Sequence, residues 1–78
     1  MDTDKQFGRR LAAVVSAKIK ASGMTQREVA ALAGIPLVTL NGRLRGNTEF
    51  KANELHAIAD VLSITGSALW DEAEQVAA

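Results

Sequence analysis

Along nearly the whole chain apolar residues return every third or fourth position, the period of helices that bury one face. Phe7, Leu11, Val14, Val15 and Ile19 set this rhythm first and predict a helix from Lys5 to Ala21. Gly8 lies inside it and costs ~1 kcal/mol relative to Ala, so the first turn is expected to fray. Ser22-Gly23-Met24 ends this helix, with Gly23 just past its last turn. Two short helices follow, Thr25–Ala33 and Pro36–Arg45, then a turn at Gly46-Asn47-Thr48. Leu55, Ile58, Ala59 and Leu62 share one face of a fourth helix, Lys51–Leu62. Ser63-Ile64-Thr65 connects it to a last helix holding Leu69 and Trp70, with Thr65 as N-cap. No segment alternates with the period of a strand. The expectation is an all-α, compact five-helix domain spanning 1–78, frayed over 1–4 and 75–78.

The two short helices carry the most specific signal. Thr25 is an N-cap and Glu28, three residues on, completes a capping box. Val29, Ala30 and Ala33 face the interior, and Gly34 supplies the positive φ of a sharp helix exit. Ile35 plugs the corner, and Pro36 suits the first turn of the next helix, where a missing N–H is harmless. Leu40 and Leu44, four apart, lie on that helix's inner face, leaving Leu37, Val38, Asn41, Arg45 and Gly42 outward. Such an arrangement is a helix-turn-helix. Small Ala30 and Ala33 let the two backbones approach closely, and a larger side chain at Ala30 would force them apart.

Length and composition narrow the chemistry. At 78 residues there is one domain, near the size at which a lone core only just suffices, and no room for a separate effector-binding domain. The 47% apolar content is enough to fold without staples. Absence of cysteine excludes disulfides and thiolate metal sites, and His56 is the sole histidine, so no metal and no cofactor is expected. His56 falls mid-helix and gives Ser16, Ser22, Ser63 and Ser67 no plausible His–acid partner. The six glycines are scattered over turns rather than gathered in a phosphate loop. Neither an enzyme nor a small-molecule ligand is expected. Apolar runs are far short of a membrane span, and MDTDKQ lacks the order of a signal peptide, which points to a cytoplasmic protein without a membrane partner. Net charge is zero but unevenly spread: all nine Lys and Arg lie within residues 5–51, opposed there only by Glu28 and Glu49. Residues 52–78 hold five acids and no base. This segregation predicts a dipolar molecule able to orient on a polyanion.

Thr25-Gln26, Ala30, Gly34-Ile35, Leu40 and Gly46 together resemble the lambda-repressor/Cro-like helix-turn-helix family, and a looser likeness covers residues 7–70. The resemblance implies a double-stranded DNA partner and a second helix that enters the major groove. By position it assigns base reading to Leu37, Val38, Asn41 and Gly42. The family often places a long polar side chain at the first of these, and here the sequence departs from it. Leu37 and Val38 can touch thymine methyls, or else pack against a loop or partner subunit. Asn41 can bind adenine through two hydrogen bonds, and Gly42 lets the helix come close. Gln26, at the start of its helix, and Thr39, Arg43, Arg45, Asn47, Thr48 and Lys51 are assigned to phosphates. Arg45 is the strongest phosphate candidate among those near the end of its helix, the alternative for it being compensation of the helix dipole. Arg43 stands where many relatives have an apolar residue, so its direction hangs on a small rotation of the helix. Arg9, Arg10, Lys18 and Lys20 are expected mostly to solvate the first helix. The implied role is a phage- or bacterial-type transcriptional repressor that occludes an operator; the alternative is an antitoxin or adaptor module for which a protein is the main partner. A homodimer would use Ile64, Leu69, Trp70 and Val76, unless Trp70 simply caps the core.

Overall fold

The computed structural model describes residues 3–76, with side chains from Gln6 to Gln75. Five helices follow one another: α1 (Thr3–Ser22), α2 (Gln26–Ala33), α3 (Leu37–Leu44), α4 (Ala52–Val61) and α5 (Gly66–Val76). No strand occurs among the described residues. α1 packs chiefly on α5 and also on α3, while α2 packs on both α3 and α4. Their common core contains Leu11, Val15, Val29, Leu40, Ile58 and Leu69. Among the described residues none that is buried is polar or charged, so the fold rests on removing apolar surface from water.

Helix ends follow local chemistry. The Thr25 hydroxyl accepts from the Glu28 N–H at 3.0 Å, and the Glu28 carboxylate accepts from the Thr25 N–H at 2.8 Å. These reciprocal bonds are the expected capping box, and they hold the Glu28 carboxyl below the ordinary value. Thr65 caps α5 by accepting from the Ala68 N–H at 3.1 Å. At the exit of α2, Gly34 has φ of 72° and the Ile35 N–H reaches back to the Ala30 carbonyl at 2.9 Å. Ile35 is thereby pressed into the corner at 8% exposure. The exit of α4 repeats this geometry, the Ile64 N–H bonding to the Ala59 carbonyl at 2.9 Å. There the left-handed residue is Ser63, with φ of 60°, where the sequence offers no glycine to announce it.

Several expectations shift. α1 starts at Thr3 and runs on through Gly8, where a Cβ would make ordinary contact with the Glu49 side chain at 3.4 Å. Thr3, Asp4, Gln75 and Val76 belong to helices, while the rest of the expected frayed ends, 1–2 and 77–78, lies outside the described residues. Pro36 is the N-cap of α3 rather than a residue of its first turn. Leu69 is fully buried, so it is core and offers no surface to a second subunit. Trp70 is 48% exposed and tilts against Phe7, ring centroids 4.5 Å apart, so its indole closes the α1–α5 seam. The Val76 side chain, assigned with them to a dimer contact, lies outside the described side chains. Among the described residues no helix is long and apolar enough to cross a membrane, and no acid or histidine cluster is arranged to hold a metal.

Candidate nucleic-acid interface

α3 is short, and 100° per residue sorts its side chains cleanly. Leu37, Leu40 and Leu44 form one stripe: Leu40 is fully buried, and Leu37 and Leu44 are half-buried against the core. Leu37, expected to face outward, therefore belongs mainly to the anchoring side. Its spacing of three from Leu40 and seven from Leu44 was the available signal. Val38, Asn41 and Arg45 fall on the adjoining stripe, displaced by roughly 100° round the helix. Val38 is 79% exposed, Arg45 is exposed, and Asn41 is half-buried. A Cβ at Gly42 would meet nothing within 4 Å, so the helix surface is bare there. This stripe can present one methyl-bearing, one amide and one cationic side chain to a groove.

Around it stand the remaining candidates. Gln26 is the exposed first residue of α2. Thr39 is half-buried on the flank of α3, and Asn47, Thr48 and Lys51 are exposed in the connection to α4. A shallow pocket at that connection is lined by Gly8, Arg9, Gly46, Asn47, Thr48 and Glu49, so the first helix reaches the same corner.

Arg43 does not point to open solvent. Its Nε donates to Glu54 Oε1 at 2.8 Å and its Nη2 to Glu54 Oε2 at 3.1 Å, while Nη1 donates to the Thr48 hydroxyl. Glu54 Oε1 also accepts from the Lys51 N–H at 2.9 Å, capping α4. The guanidinium, assigned to phosphate by sequence, is thus turned onto a carboxylate of the following helix. Its hydrogen bonds hold the Glu54 carboxyl below the ordinary value, and Glu54 in turn raises the Arg43 pKa. Sequence reasoning missed Glu54, although a glutamate three residues after Lys51 is itself a capping signal. Thr48 accepts from Arg43, which leaves its own hydroxyl hydrogen free to donate.

The expected charge dipole is partly closed by folding. Lys18 of α1 meets Glu72 of α5 at 2.7 Å, and Arg43 meets Glu54, so bases of the first half are paired with acids of the second. Arg10 is drawn over the Phe7 ring, 5.8 Å from its centroid. Arg9, Lys20, Arg27, Arg45 and Lys51 remain exposed. His56 is exposed on α4, 3.6 Å from Asp60 one turn on.

No curated protein matches the sequence. The helix-turn-helix family profile matches residues 15–69, which takes in the end of α1 from Val15, all of α2 to α4 and the start of α5. That span is more than half of the chain and contains the capping box, the Gly34 corner and the whole of α3. The chain therefore belongs to the helix-turn-helix family of Cro/C1 type, whose members are DNA-binding transcription regulators.

Proposed function

We propose that the protein binds double-stranded DNA sequence-specifically and represses transcription, in the manner of a phage or bacterial repressor, by occupying an operator that overlaps a promoter. The observation that carries the reading is the two-sided character of α3. One stripe is sunk in the core through Leu40, and the other offers Val38, Asn41 and Arg45 to solvent beside a bare Gly42. Asn41 reads an adenine through paired hydrogen bonds, and Val38 touches a thymine methyl. Leu37 contributes only the edge it leaves uncovered. Gln26, Thr39, Arg45, Asn47, Thr48 and Lys51 bind backbone phosphates and fix the register.

A second reading has support of its own. Val38 at 79% and Leu32 at 67% exposure are large apolar groups without cover, as expected of an antitoxin or adaptor that docks a protein. Selection of bound duplexes from a random pool separates the two, because a protein-only adaptor enriches no motif. A palindrome marks a twofold dimer on paired half-sites, and a short asymmetric motif marks a monomer. On the selected duplex, Asn41→Ala relaxes preference at one base pair, a discrimination of roughly 1–3 kcal/mol. Arg45→Ala weakens binding to every sequence and lowers the salt slope by about one phosphate contact. Equal loss on all sequences for Asn41→Ala removes it from the reading role.

A further inference from the structure

The connection from Arg45 to Lys51 carries four of the residues given above to phosphate, yet it belongs to no helix. Something has to fix its path. At its start the Gly46 N–H bonds to the Arg43 carbonyl at 3.1 Å and the Asn47 N–H to the Gly42 carbonyl at 3.0 Å. At its end the Lys51 N–H bonds to Glu54 at 2.9 Å. Near its end Phe50 packs partly against the core. Among the described residues, the side-chain hydrogen bonds that tie its middle to both helices are those of Arg43, which leaves α3, binds both oxygens of Glu54 on α4, and holds Thr48 between them. Both side chains of the pair are well covered, at 14% and 13% exposure.

We propose that Arg43 and Glu54 form a positioning pair, which sets the connection from α3 to α4 in its DNA-gripping shape without either side chain touching DNA. The proposal rests on the DNA-binding reading above and reassigns Arg43 within it. A planar guanidinium with donors in a fixed fork suits this role, because it locks orientation as well as distance. A carboxylate beside a polyanion opposes binding by simple repulsion. The two roles open to Arg43 therefore predict opposite signs when that carboxylate loses its charge. If Glu54 merely restrained a phosphate-binding arginine, Glu54→Gln would free a cation, remove an anion and tighten the complex. If Glu54 and Arg43 position the connection together, the same change loosens it and weakens the complex.

The test titrates the selected duplex with wild type, Glu54→Gln, Arg43→Gln and the double variant over a range of salt, and follows amide exchange of residues 46–51 in the free proteins. The expected result for Glu54→Gln is affinity lower by roughly tenfold at an unchanged salt slope, as when the competent shape falls to about a tenth of the population. Arg43→Gln matches it, and the double variant is no worse than either single one, because all three break one unit. Exchange accelerates in residues 46–51 and stays slow in α1 and α5. Tighter binding by Glu54→Gln, with a slope steeper by about one contact, overturns the proposal, as does unaltered exchange. Should the wild type select no duplex at all, the DNA-binding reading fails by itself. Exchange alone then decides the positioning role, faster exchange supporting it and unaltered exchange ending it.

Discussion

The α1–α5 seam and the α3–α4 junction are each crossed by an ion pair of nearly equal length, 2.7 Å for Lys18–Glu72 and 2.8 Å for Arg43–Glu54. Their surroundings differ. At the seam the charged side chains are 36% and 45% exposed and meet through one ammonium, while Leu69 and Ala73 of α5 are fully buried. At the junction the pair is forked, covered, and shared with Thr48 and the cap of α4. The seam is closed by apolar surface, and its ion pair is incidental. Of residues 45–51, Phe50 is half-buried against the core and the others are exposed, so polar bonds hold what packing does not reach. Contact distance alone does not rank the two pairs; cover and the number of shared partners do.

That contrast can be broken from either side. The largest effect belongs under the seam: Leu69→Ala should cost about 2–5 kcal/mol in chemical denaturation, since a fully buried leucine leaves a cavity as well as losing its transfer energy. A cost below 1 kcal/mol would mean the apolar seam is not what closes α1 on α5.

Acid acts next, and on the junction. The Glu54 carboxyl is held below its ordinary value of 4.5 by the Arg43 hydrogen bonds first and the Lys51 N–H after. The folded protein thus holds this proton less tightly than the unfolded chain, so its contribution is complete above 4.5 and is lost as pH falls through the lower native value. Glu28 titrates in the same direction because of its bonds to Thr25. Melting temperature should therefore fall on acidification in this range, and Glu54→Gln should flatten the fall. An unchanged acid profile in that variant would place the dependence elsewhere.

The smallest effect is expected at the seam's own ion pair. Lys18→Ala should change stability by no more than about 0.5 kcal/mol, as for other solvent-screened pairs. A larger loss would raise the seam pair to the rank of the junction pair and end the contrast.

These differences follow what could be read along the chain. The Gly34 exit was legible because glycine announces a left-handed residue, whereas the equivalent exit at Ser63 was silent because serine does not. A spacing of four puts Leu40 and Leu44 on one inner face, and Leu37, expected outward, shares their stripe through its own spacing of three and seven. Arg43, expected at a phosphate, instead meets a partner eleven residues away, beyond any local pattern. The charge separation was real in sequence, but α5 lies along α1 and brings Glu72 onto Lys18.

The sequence by itself determined the helices, their order, the capping box and the corner between α2 and α3. These depend on backbone hydrogen bonds and apolar periods that close within a few residues. Only the tertiary structure decided that Leu69 is core, that Trp70 leans on Phe7 and that Arg43 faces Glu54. Each of these depends on which helix faces come together, because a side chain's partner is set by the packing of whole elements and not by its neighbours in the chain.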